Sequence, residues 1–87
     1  MINEFDLNDW EMLSEPLPLK QVNNGSIFTL DKDNASFYYK KGNASCWTNC
    51  FPLHETGLGG ILGIDPWCKL HYPWDVQVRA YVKKVQE

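Results

Sequence analysis

With 87 residues, the chain is long enough for one domain and buries only a little over ~60% of its unfolded surface, which excludes a large core around a deep catalytic cavity. Four Trp, four Tyr and four Phe supply that burial in units of roughly 150–250 Å² each. The net charge of −3 argues against a polyanion as the obvious partner, and no apolar run approaches the ~20 residues of a membrane helix.

The first fifteen residues hold Glu4, Asp6, Asp9, Glu11 and Glu15 and no basic residue, so this segment carries −5 and the remainder +2. The acids stand where a signal peptide has a basic start and an apolar centre, and three cysteines, an odd number, suit free thiols in a reducing compartment. A cytoplasmic protein is the expectation. Leu7, Trp10 and Leu13 form a stripe at helical spacing, predicting a short helix from Asp6 or Asn8 that ends at Pro16 and Pro18. Residues 1–18 are thus read as an acidic helix or arm, either a lid on the sheet or a docking element that imitates nucleic acid, and residues 19–87 as the domain proper.

From Ser26 to Phe51 three strands are predicted, centred on Ile27–Thr29, Phe37–Tyr39 and Trp47–Phe51. The turn clusters are Asp31–Asn34 and Lys41–Asn43, since Asn, Asp and Gly accept turn conformations readily. Alternation puts Phe37 and Tyr39 on one face and Tyr38 and Lys40 on the other; Trp47, Asn49 and Phe51 oppose Cys46, Thr48 and Cys50. Large rings on both faces predict a small barrel, one face in the core and the other covered or used for binding. The sequons at Asn34 and Asn43 serve as turns rather than glycosylation sites in a reducing compartment.

Pro52–Pro66 contains four of the six glycines and is read as a loop. Gly57–Gly63 lacks both the Lys-Ser/Thr of a P-loop and a following helix, which excludes phosphate cradling. Leu58, Ile61, Leu62 and Ile64 in this loop must tuck into the core or meet a partner. Two further strands are predicted in Trp67–Tyr72 and Val76–Lys83, around the turn Pro73–Asp75. In the second, Val76, Val78, Ala80 and Val82 point inward and Gln77, Arg79, Tyr81 and Lys83 outward.

The spacing L-x-x-V-x-x-G-x-x-F-x-L from Leu19 to Leu30, with Tyr39-Lys40, Trp47 and Val76-Gln77-Val78, resembles small SH3-like β-barrel proteins encoded by bacteriophages. The resemblance covers about residues 19–51 and 74–82 and is broken by the 52–66 insertion. It implies a phage origin and a binding or host-modifying role.

All three cysteines and both histidines fall in one window: Cys46, Cys50, His54, Cys68 and His71. Zinc is disfavoured by geometry, because Cys46 and Cys50 lie about 13 Å apart along a strand while each sulfur must reach ~2.3 Å from the metal. His54-Glu55 lacks the second His of a zinc protease motif, and a Cys50–His54 pair has no orienting group.

The expected fold is mainly β, a barrel-like antiparallel sheet of about five strands with a short N-terminal helix or arm. The expected function is non-catalytic and without cofactor: a phage protein that binds and modulates a host or phage protein, inhibition being the expected effect, such as a defence or transcription enzyme, through Trp10, Leu58, Ile61, Leu62, Trp67 and Trp74. Competing expectations are single-stranded nucleic-acid binding through Arg79, Tyr81, Lys83 and Lys84, with Lys40 and Lys41 nearby, and a virion assembly role.

Overall fold

A computed structural model describes residues 4–57 and 59–84, with the side chains of 33–35 excepted. Leu58 lies outside the described residues. The structure is antiparallel β throughout: β1 (Glu4–Asp6), β2 (Trp10–Met12), β3 (Leu17–Pro18), β4 (Ile27–Leu30), β5 (Asp33–Asn43), β6 (Trp47–Glu55), β7 (Ile61–Ile64), β8 (Leu70–Pro73) and β9 (Gln77–Lys83). Among the described residues nine strands replace the expected five.

The N-terminal helix is not formed. Asp6 accepts from the Asn8 amide at 3.0 Å, but this cap supports only a single 3₁₀ turn, Leu7–Asp9. The flanking residues pair with the sheet instead, Phe5 with Leu62 and Trp10 with Lys83. The reason is burial: Phe5 packs edge-on against Trp10, with ring centres 5.9 Å apart, and against Tyr39 at 5.6 Å, which a helical stripe of Leu7, Trp10 and Leu13 would not achieve. Among the described residues no helix is long and apolar enough to cross a membrane.

The main path of the sheet runs β1-β7-β6-β5-β4-β9-β2, with β3 attached to β9 and β8 to β6. Its end strands, β1 and β2, are consecutive in the chain and joined only by the 3₁₀ turn. The sheet therefore curls until its edges approach, but no ladder joins them, so it is an open curled sheet and not the expected barrel.

Both faces are packed, as expected from alternating aromatic strands. On one side lie Phe5, Ile27, Leu53 and Leu62, with Phe37, Tyr39 and Tyr81 against them. On the other, Leu19 and Val22 cover Phe28, Cys50, Val78 and Ala80. The clusters divide neighbouring residues such as Ile27 from Phe28 and Ala80 from Tyr81, as side-chain alternation requires. The tie between Leu19–Val22 and the sheet is Lys40. Its ammonium, 1% exposed, donates to the carbonyls of Leu19 (3.0 Å), Lys20 (3.2 Å) and Val22. Three protons meet three acceptors, so this lysine is an internal bracket rather than part of a surface patch.

The predicted turn Lys41–Asn43 is displaced. β5 continues through it with a bulge between Lys40 and Gly42, and the chain reverses at Ala44–Cys46, where the Ala44 amide donates to Trp47. The predicted 52–66 loop is also largely strand, since β6 extends to Glu55 and β7 returns antiparallel from Ile61.

Candidate binding surfaces

Trp67 is the most exposed large apolar side chain described, at 94%. It sits on a braced turn between β7 and β8. The Asp65 carboxylate accepts from the Trp67 amide at 3.0 Å, the Asp65 carbonyl from Cys68, and the Asp65 amide donates to Pro52. The other carboxylate oxygen lies 3.4 Å from His54 Nε2. An Asx-type turn tied to β6 thus holds the backbone while leaving the indole in water.

The remaining expected anchors differ in accessibility. Leu62 belongs to the core, Trp10 packs half-buried against it, and Ile61 is also half-buried. Trp74 is 36% exposed, and its indole nitrogen donates to the Trp47 carbonyl at 2.9 Å, pinning the end of the β6–β8 pair.

Near Ile61 a cavity of about 590 Å³ opens at one end of the curled sheet, walled by Leu7, Phe37, Leu53 and Leu62 with Ser36 and Glu55 among its lining residues. Glu55 is opposite Leu62, which is opposite Phe5, so alternation directs the Glu55 side chain to the inner face at this mouth.

The outward residues of β9 are partly engaged within the protein. Arg79 Nε is 3.0 Å from Asp31 Oδ1, and a terminal guanidinium nitrogen donates to the Ser14 carbonyl at 2.9 Å. Tyr81 packs against Phe37 with ring centres 5.6 Å apart, and burial raises its pKa. Lys83 and Lys84 are exposed. Alternation placed these residues off the face that carries Val78 and Ala80, but could not reveal that Tyr81 packs against the Phe5–Leu62 cluster on the other face.

The five soft side chains are dispersed, and among the described residues no three His, Cys, Asp or Glu groups gather as a metal would require. Cys46 and Cys68 are exposed, whereas Cys50 is buried with its thiol 3.6 Å from the Thr48 carbonyl. Burial pushes the Cys50 thiol up to about 12, against the opposing pull of the Lys40 ammonium. Lys40 is shifted down by the same desolvation, partly offset by Cys50. A high-pKa thiol in an apolar setting is a poor nucleophile at neutral pH. His71 stacks on Trp47, with ring centres 5.6 Å apart and 30° between planes.

No protein-family model, curated protein or solved structure matches the chain.

Proposed function

We propose that this is a non-catalytic module that binds a protein partner, with Trp67 as its principal anchor. The observation that carries the reading is the 94% exposed indole on a turn held by three hydrogen bonds at Asp65, one of them to β6. An exposed tryptophan forgoes the burial that the other rings of this small domain obtain, and a partner that covers it recovers that free energy with little loss of backbone freedom. Buried tryptophans are prominent among the side chains that dominate interfaces. Ile61 and Trp74 supply further half-exposed apolar surface. The likeness to phage-encoded small β proteins extends the proposal to its partner, an enzyme of the bacterial host or of the phage that the module inhibits.

The test is capture from bacterial lysate on immobilised wild-type protein and on Trp67→Ala, after nuclease treatment and at raised salt. One protein retained by wild type, lost by the variant and rebound at a 1:1 ratio after purification supports the proposal. Equal retention on both forms removes Trp67 as the anchor.

A further inference from the structure

Beyond that protein interface, a second surface lies along the outer end of the β5-β6-β8 ladder. Trp47, Asn49, Phe51 and Leu53 alternate onto one face of β6. Leu53 is in the core, but toward the other end of the strand this face emerges: Phe51 is half-buried and Trp47 is 37% exposed. Cross-strand neighbours complete it. His71, opposite Asn49, stacks on Trp47, while Tyr39, opposite Phe51, stacks on that ring with centres 6.5 Å apart and 22° between planes. Lys41 Nζ, at the β5 bulge, lies 5.8 Å from the centre of the Phe51 ring. Lys69, two residues before His71, is also exposed.

The strip therefore presents the exposed Trp47–His71 pair and the half-buried Phe51 ring, which stacks on core-packed Tyr39, together with two exposed lysines, and none of its residues is acidic. The five acids of residues 1–15 are carried by other elements, β1, β2 and their flanking turns. Between Trp47 and Phe51 the Asn49 Oδ1 is shut from solvent with no hydrogen-bond partner. Trp74 braces Trp47 from the edge through its bond to the Trp47 carbonyl.

We infer that this strip binds single-stranded nucleic acid. Bases stack on aromatic rings without sequence discrimination, and lysines beside the rings neutralise the phosphates between successive bases. The two exposed lysines favour this occupant over a neutral sugar, which would use the rings but gain nothing from Lys41 and Lys69. The surface is distinct from the outward face of β9, where Arg79 and Tyr81 have internal partners.

The experiment is fluorescence anisotropy of a labelled oligothymidylate of about a dozen nucleotides titrated with the whole chain at several salt concentrations. Two phosphate contacts predict a log–log salt slope of about −1.4, so a tenfold rise in salt weakens binding roughly 25-fold. Trp47→Ala should weaken it roughly tenfold or more, and Lys41→Gln should halve the salt slope. Urea unfolding establishes that each variant is folded; Lys41→Gln changes an exposed side chain and carries the test if Trp47→Ala does not fold. The proposal is overturned by no saturable binding at low salt, by binding that ignores salt or yields to a neutral oligosaccharide, or by loss confined to changes at Lys83 and Lys84.

Discussion

Replacing Lys40 with methionine should be among the most damaging single changes in the domain. Methionine keeps an unbranched stem of similar reach but leaves the carbonyls of Leu19, Lys20 and Val22 without their donor. Hydrogen bonds to a charged group contribute about 1.5–3 kcal/mol each, giving a gross loss of about 5–9 kcal/mol. Against this stands the desolvation of a buried ammonium, several kcal/mol that the variant no longer incurs. The Lys20 carbonyl bond is only partly buried, so water can replace that donor more readily. The net expectation is about 2–4 kcal/mol of destabilisation, a large share of the ~5–15 kcal/mol typical of a domain. Urea unfolding followed by tryptophan fluorescence reads it directly. A loss below about 0.5 kcal/mol, or a gain, would mean that desolvation cancels the three bonds and that Lys40 is not what holds Leu19–Val22 to the sheet.

Three further outcomes follow from the same geometry. Cys50 has its folded-state pKa raised to about 12 from an ordinary 9.0, so its contribution to stability is complete below pH 9 and is lost as pH rises through that window; Lys40, shifted the opposite way, adds stability as pH approaches 10.5. Urea titrations from pH 8 to 11 on Cys50→Ala should therefore show a shallower alkaline decline than wild type, and an unchanged decline would refute the buried-thiol account. Gly60 has φ +79°, while an added Cβ would meet Asn8 no closer than 3.5 Å, so Gly60→Ala should lose about 1 kcal/mol through backbone strain alone; an unchanged midpoint in urea would contradict it. For Arg79 and Asp31, each about a third exposed, a double-mutant cycle to alanine should yield a coupling of no more than about 1 kcal/mol, and a larger value would show that the pair is screened less than its exposure implies.

The parts of the fold legible in sequence were those in which one strand face is buried over several residues. In β9, Val78 and Ala80 are buried in the order that their alternation predicts, and the split between Tyr38 and Tyr39 is the split between the two clusters. Three-residue strands are too short to show a period. Across residues 4–13 the coincidental helical spacing of Leu7, Trp10 and Leu13 masks them, although pairing and ring packing govern the segment. Ile61–Ile64 was obscured by glycine, yet Gly63 lies between Glu4 and His54 in adjacent strands and extends the ladder without a side chain of its own. Lys40 shared the face of Tyr38 by alternation, a correct hint, but its burial depends on Leu19 and Val22 crossing from a distant segment. The strip of Trp47, His71 and Phe51 was hidden for a similar reason: β8 meets β6 in a register that sequence spacing does not specify.

The most direct test of the central claim is the affinity of the purified partner for wild type and for Trp67→Ala, measured by calorimetry with both forms matched in urea stability. Trp67 is almost fully solvated, so its removal should change folding stability by less than about 0.5 kcal/mol. A loss of about 2 kcal/mol or more in binding, roughly 30-fold, is the predicted result. Equal affinity in the two forms would contradict the claim that this protein acts through the exposed indole on the Asp65 turn.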